Sequence, residues 1–131
     1  MAVNETYRQA NRLSLPVPAG KKSGDPVRIG GLNGVLQTDR AAVTVSPVNT
    51  DGTTNPAYNY GGGNPDGNAT VWLEGAHDFT VAFAVANIGD PVYILADGTA
   101  LSDEVPDNHL YGHALTTKPA GAGRLTVRLK N

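Results

Sequence analysis

Two phrases in this chain echo each other: Ser23-Gly24-Asp25-Pro26-Val27-Arg28-Ile29-Gly30 and Ile88-Gly89-Asp90-Pro91-Val92-Tyr93-Ile94-Leu95. Each opens on turn residues and empties into a β-prone run. Gly reaches backbone conformations closed to other residues, Asp bonds the backbone just ahead of it, and Pro fixes φ while donating no hydrogen bond. Pro is tolerated at the first residue of a strand, so strands are expected to begin at Val27 and Val92. Turn residues follow again, Gly30-Gly31-Leu32-Asn33-Gly34 and Ala96-Asp97-Gly98. Each copy therefore reads as a β-hairpin, with return strands near residues 35–38 and 99–102.

The rest of the chain has the same character. Its 131 residues fit one domain, and 16 Gly and 9 Pro punctuate it too often for a long helix. Strand-like runs are expected over 42–48, 69–75, 110–115 and 124–130. Over 78–85, Phe79, Val81, Phe83 and Val85 alternate with the small or polar Asp78, Thr80, Ala82 and Ala84. Roughly eight to ten short strands indicate an all-β fold, a small single-domain β-barrel or sandwich. The expected core is Leu15, Val27, Ile29, Val35, Trp72, Val81, Phe83, Val92, Ile94, Leu115, Val127 and Leu129. Residues 1–12 are polar; Asn4 offers a cap for one or two helical turns, too few to be stable alone. The reading is an extended N-terminal arm over 1–14 that orders on a partner, and a β-domain over 15–131. Leu13, Leu15 and Val17 share one side of an alternating stretch, and Pro16 and Pro18 point to an edge strand or an extended segment lying across a surface. Residues 49–68 form one long Asn-, Gly- and Pro-rich loop with Tyr58 and Tyr60 as its large side chains, which favours a projecting contact loop.

Charge is segregated. Residues 1–40 hold six basic groups against three acids, 41–117 hold nine acids with no Lys or Arg, and 118–131 hold four basic groups. A chain with basic ends and an acidic middle can close on itself electrostatically or present faces of opposite sign to neighbours, as self-association needs. Cysteine is absent, which excludes disulfides and thiol chemistry. No apolar run approaches the ~18 residues of a membrane span, and no signal peptide is read at the N-terminus, which fits a product made in the cytoplasm. No nucleophile elbow or phosphate loop occurs. His109 and His113 have a metal-like spacing only on a helix, and this stretch reads as a strand. Asp51, Asn55, Asn64, Asp66 and Asn68 could ligate calcium, but they lack the spaced acids of a calcium loop and are ordinary turn formers. No cofactor or metal is expected. The basic residues lack interleaved aromatics, so no nucleic-acid partner is expected.

The ordered set of phrases then becomes informative. Asn11-Arg12-Leu13 leads through Ser23-Gly24-Asp25-Pro26-Val27 to Gly34-Val35. Leu73-Glu74-Gly75 with Phe79-Thr80-Val81 follows, then Gly89-Asp90-Pro91-Val92-Tyr93. Tyr111-Gly112-His113-Ala114-Leu115 and Leu125-Thr126-Val127-Arg128-Leu129 close it. This order resembles the small tailed-phage capsid cement or decoration proteins over roughly residues 11–130. The long 49–68 loop and Ala76-His77-Asp78 depart from that pattern. The resemblance implies a non-enzymatic virion protein on the outer capsid surface that locks major capsid subunits together. Candidate capsid contacts are Tyr7, Arg8, Arg12, Leu13, Leu15, Tyr58 and Tyr60. Lys21, Lys22, Asp103, Glu104, Arg124 and Arg128 are candidates for contacts between protomers of a homotrimer, a dimer being the alternative. A tail or baseplate accessory β-domain and a small hydrolase are the rival readings.

Overall fold

Both repeated phrases fold as their chemistry dictates. The computed structural model describes residues 10–131. In the first phrase Pro26 opens a strand, and Gly30, at φ 59°, turns the chain. The strands in chain order are β1 (Arg12–Pro16), β2 (Pro26–Ile29), β3 (Leu32–Leu36), β4 (Asn68–Trp72), β5 (Ala76–Val81), β6 (Pro91–Ile94), β7 (Leu101–Ser102), β8 (His109–Ala114) and β9 (Gly123–Leu129). Both repeats are hairpins, β2–β3 and β6–β7. The first return strand begins at Leu32, three residues before the expected position. Ile29 faces Leu32 across a two-residue loop, so Asn33 and Gly34 are strand residues. Gly34 has no room for a Cβ: one there would collide with the Val71 side chain and lie 2.9 Å from the Trp72 carbonyl oxygen.

Two antiparallel sheets result, a four-stranded one in the order β1-β4-β3-β2 and a five-stranded one in the order β5-β9-β8-β6-β7. The fold is all-β. β1 lies at a sheet edge, as Pro16 requires, and it starts at Arg12, so the expected boundary at 14/15 falls inside a strand. The remainder of the expected arm, residues 1–9, lies outside the described residues.

Each sheet has an apolar cluster. Val17, Val27, Leu36, Ala69, Val71 and Leu73 form one. The larger gathers Phe79, Val81, Val92, Ile94, Tyr111, Leu125, Val127 and others beneath the five-stranded sheet, joined by Val35 of β3. Each Val, Leu, Ile or Phe among them stabilises by about 1.5–3 kcal/mol when fully buried. Of the expected core, Leu15, Ile29, Trp72 and Phe83 are only half-buried. Leu115 is exposed, because β8 ends at Ala114 and the chain turns outward. Asn33 and Asn131 stitch the sheets with polar bonds. The Asn33 amide donates to the Leu110 and Lys130 carbonyls, and the Asn131 amide donates to those of Asn33 and Leu73.

Two expected strands are corrected. Residues 42–48 form only isolated bridges, Ala42 with Asn59 and Val48 with Thr54. Side chains there capture the backbone groups a ladder would use: Asp66 accepts from the Val43 N–H, and Asn55 donates to the Ser46 carbonyl. The alternation over 79–85 is broken at Val81, where β5 stops. Beyond it the chain bends, and Val85 exchanges backbone bonds with Lys118.

Candidate functional site

The connection between β3 and β4 is a lobe built from turn chemistry. Ala41 and Ala42 exchange backbone bonds with Gly67, Asn68 and Asn59, which pins its base. Gly61, at φ 62°, packs so closely on Ala41 that no Cβ fits. Asn64 donates to the Gly61 carbonyl and to the Thr38 and Thr70 hydroxyls. Asp39 ties the base to the preceding turn. It accepts from the Ser23 N–H at 2.8 Å and the Asn59 amide at 2.9 Å, and these two bonds hold its carboxyl below the usual range.

Above this base, residues 43–54 are exposed throughout. The projection therefore starts before the 49–68 loop, and that loop's second half lies in the base. Val43, Val45 and Val48 are surface residues here. Tyr60 is 67% exposed and Tyr58 is half-buried. The lobe thus offers apolar and aromatic area with few charges, the composition of an interface core. The side chains once considered for calcium are engaged in turns: Asp51 holds Thr53, Asn55 holds Ala57 and Ser46, and Asp66 holds Val43. Among the described residues no three His, Asp or Glu gather as a metal site.

The other candidates are dispersed. Arg12, Leu13 and Leu15 lie on β1. The Arg12 guanidinium stacks 4.9 Å from the Trp72 ring centroid and donates to Gln37 at 3.4 Å, while Leu13 and Leu15 are half-buried. Tyr7 and Arg8 fall outside the described residues. Lys21 turns inward: its ammonium donates to the Pro26 and Thr99 carbonyls at 2.8 and 3.0 Å. Burial lowers its pKa, with Asp25 and Asp97 opposing. It is engaged inside its own chain, which removes it from the contacts expected between protomers. Lys22 lies 4.0 Å from Asp39, and Arg124 lies 3.7 Å from Asp78, both as exposed pairs worth little alone. Arg128, Asp103 and Glu104 are exposed.

Lys118 is the residue that sequence reasoning missed. Only 9% exposed, it donates to the Phe83, Pro119 and Gly121 carbonyls at 2.7–2.8 Å. Its one sequence signal is a lysine opening a Pro- and Gly-rich turn, whose carbonyls lack strand partners.

The family model for phage cement proteins matches residues 7–130, nearly the whole chain. The chain belongs to the phage cement protein family. Its role is therefore capsid-associated. No curated protein and no solved structure matches it. For a cement protein, the lobe and the open face of β1 are the surfaces that carry the sequence's contact candidates.

Proposed function

We propose that this cement protein binds the outer surface of the mature capsid, holds neighbouring major capsid subunits together, and catalyses no reaction. The family match over residues 7–130 carries the reading. The body supports it: two sheets joined by partly buried polar bonds make a stiff spacer, and a charge-poor lobe projects from it. A ligand that binds the expanded shell and not its precursor stabilises the shell by its binding free energy. Over many copies that free energy accumulates.

Within this reading the lobe, with Tyr58 and Tyr60, and the β1 edge, with Arg12, Leu13 and Leu15, meet the capsid. Lys22, Arg124 and Arg128 of one protomer face Asp103 and Glu104 of the next in a trimer, and salt weakens the contact by screening. Co-sedimentation with expanded capsids and with procapsids tests the reading. Saturable binding to expanded capsids, with a raised capsid melting temperature, is expected. Absence of binding to either particle overturns it.

A further inference from the structure

The five-stranded sheet curls without closing. Its two edge strands are β5 and β7, yet residues 78–83 and 99–101 line one groove of about 580 Å³, with residues 23–26 as a further wall. β5 pairs only with β9. The Leu129 N–H bonds the Gly75 carbonyl, so alternate residues His77, Phe79 and Val81 turn their backbone groups to β9. Those of Ala76, Asp78 and Thr80 point toward the open edge and have no partner among the described residues. Protein edges are usually blunted by Lys, Pro or a bulge. β5, six residues long, has none of these. Four antiparallel steps separate β5 from β7, so the two run in the same direction. A strand laid between them in the opposite direction is antiparallel to both.

We propose that this groove takes an added strand, and that the strand is residues 1–9 of a second copy of this chain. Nine extended residues reach about 30 Å, against about 20 Å for β5. Val3 and Tyr7 share one strand face with Glu5 between them, and the two larger apolar side chains suit a groove lined by Phe79, Phe83 and Leu101. The groove lining holds Asp25 and Asp78 and no Lys or Arg; Asp78 already faces Arg124 at 3.7 Å, which leaves Asp25 as the complement of Arg8. The same chain is the wrong donor. Leu73 gives its N–H to the Asn11 carbonyl and accepts on its own carbonyl from Asn131. Asn11 and Asn131 thus both bond Leu73, which puts the start of the described chain beside the end of β9, the strand that already covers one flank of β5. Donation from copy to copy is heterologous, and it closes into a ring where the rotation permits.

The proposal concerns the free protein, so its test stands apart from capsid binding. Hydrogen exchange is followed across protein concentration at the Asp78 amide in three full-length forms, the native chain, Asn4→Pro/Thr6→Pro and Thr80→Pro, and at the Thr80 amide in the first two. Thr80→Pro deletes an outward donor and no ladder bond. In the native chain, protection of these amides is expected to rise at least 10-fold with concentration, in step with a larger sedimenting mass. Both variants are expected to lose that rise. Fast exchange of the native chain at every concentration overturns the proposal. Protection independent of concentration also does so, since it assigns the groove to the same chain. Unchanged association of the Asn4→Pro/Thr6→Pro form rejects residues 1–9 as the occupant.

Discussion

The Tyr111 hydroxyl of β8 donates a 2.5 Å hydrogen bond to the Gly34 carbonyl of β3, joining the two sheets across the core. A register shift in the β6–β8 pairing makes this possible. Val92 faces Gly112 and Tyr93 faces Leu110, so Tyr111 is the extra residue of a bulge. Its ring meets Phe79 edge-on at 5.8 Å. Gly112 beside it lies so close to the Arg128 backbone that a Cβ would collide.

Tyr111→Phe keeps the ring and removes the donor. The buried Gly34 carbonyl then loses this partner, at a cost of about 1–2 kcal/mol. Chemical denaturation at pH 7 is expected to show a lower midpoint with an unchanged slope, because the fold and its buried area persist.

The same residue sets a limit at alkaline pH. Burial raises the Tyr111 pKa far above the ordinary value of 10.0. The unfolded chain therefore loses this proton first. The contribution of Tyr111 is intact below about pH 10 and declines above it, by up to ~1.4 kcal/mol per pH unit. Lys21 acts in the other direction. Its lowered folded pKa lets the folded chain lose its proton first, so stability rises up to the unfolded value of 10.5. Comparison with Tyr111→Phe cancels the lysine. The native protein's advantage at pH 7 is expected to shrink by pH 11.

Lys118→Met retains most of the stem and deletes the ammonium. The Phe83, Pro119 and Gly121 carbonyls then share no donor where β5 ends and β9 is about to begin. Charged hydrogen bonds of this kind contribute about 1.5–3 kcal/mol each, partly offset by the desolvation of the charge. A net loss of about 2–3 kcal/mol is expected in thermal or denaturant unfolding. Exposed Lys130→Met serves as the control, within about 0.5 kcal/mol of native.

What the sequence made legible was local. Gly-Asp-Pro-Val encodes a turn and a strand start in a few residues, and both copies fold accordingly. The alternation Leu125, Val127, Leu129 places β9 over the core without further information. Long-range partnerships left no such trace. Asn33 reads as a turn residue until Leu110 and Lys130 are brought to it from the far end of the chain. Lys21 and Lys118 read as surface charge because one carbonyl of each cradle, that of Thr99 and that of Phe83, is brought in only by the fold. Residues 42–48 have strand propensity, but the lobe's Asn and Asp side chains hold their backbone first. The lobe's exposed tyrosine was anticipated. The groove along β5 was not, since it depends on how far the sheet curls.

Tyr60→Ala separates contact from stability. The side chain is 67% exposed, with its ring near Gly63 at the base of the lobe. Truncation is expected to leave the free protein within about 0.5 kcal/mol of native, as for most surface changes. If the lobe meets the capsid, an aromatic anchor of this kind contributes about 2 kcal/mol, roughly a 30-fold loss of affinity. Val105 is 61% exposed outside the lobe, so Val105→Ala is the matched control and is expected to bind as native. Titration of each form onto expanded capsids reads both effects. Native affinity in Tyr60→Ala would exclude this tyrosine as an anchor and shift the contact to the β1 edge, where Arg12→Ala and Leu15→Ala are the next variants to measure.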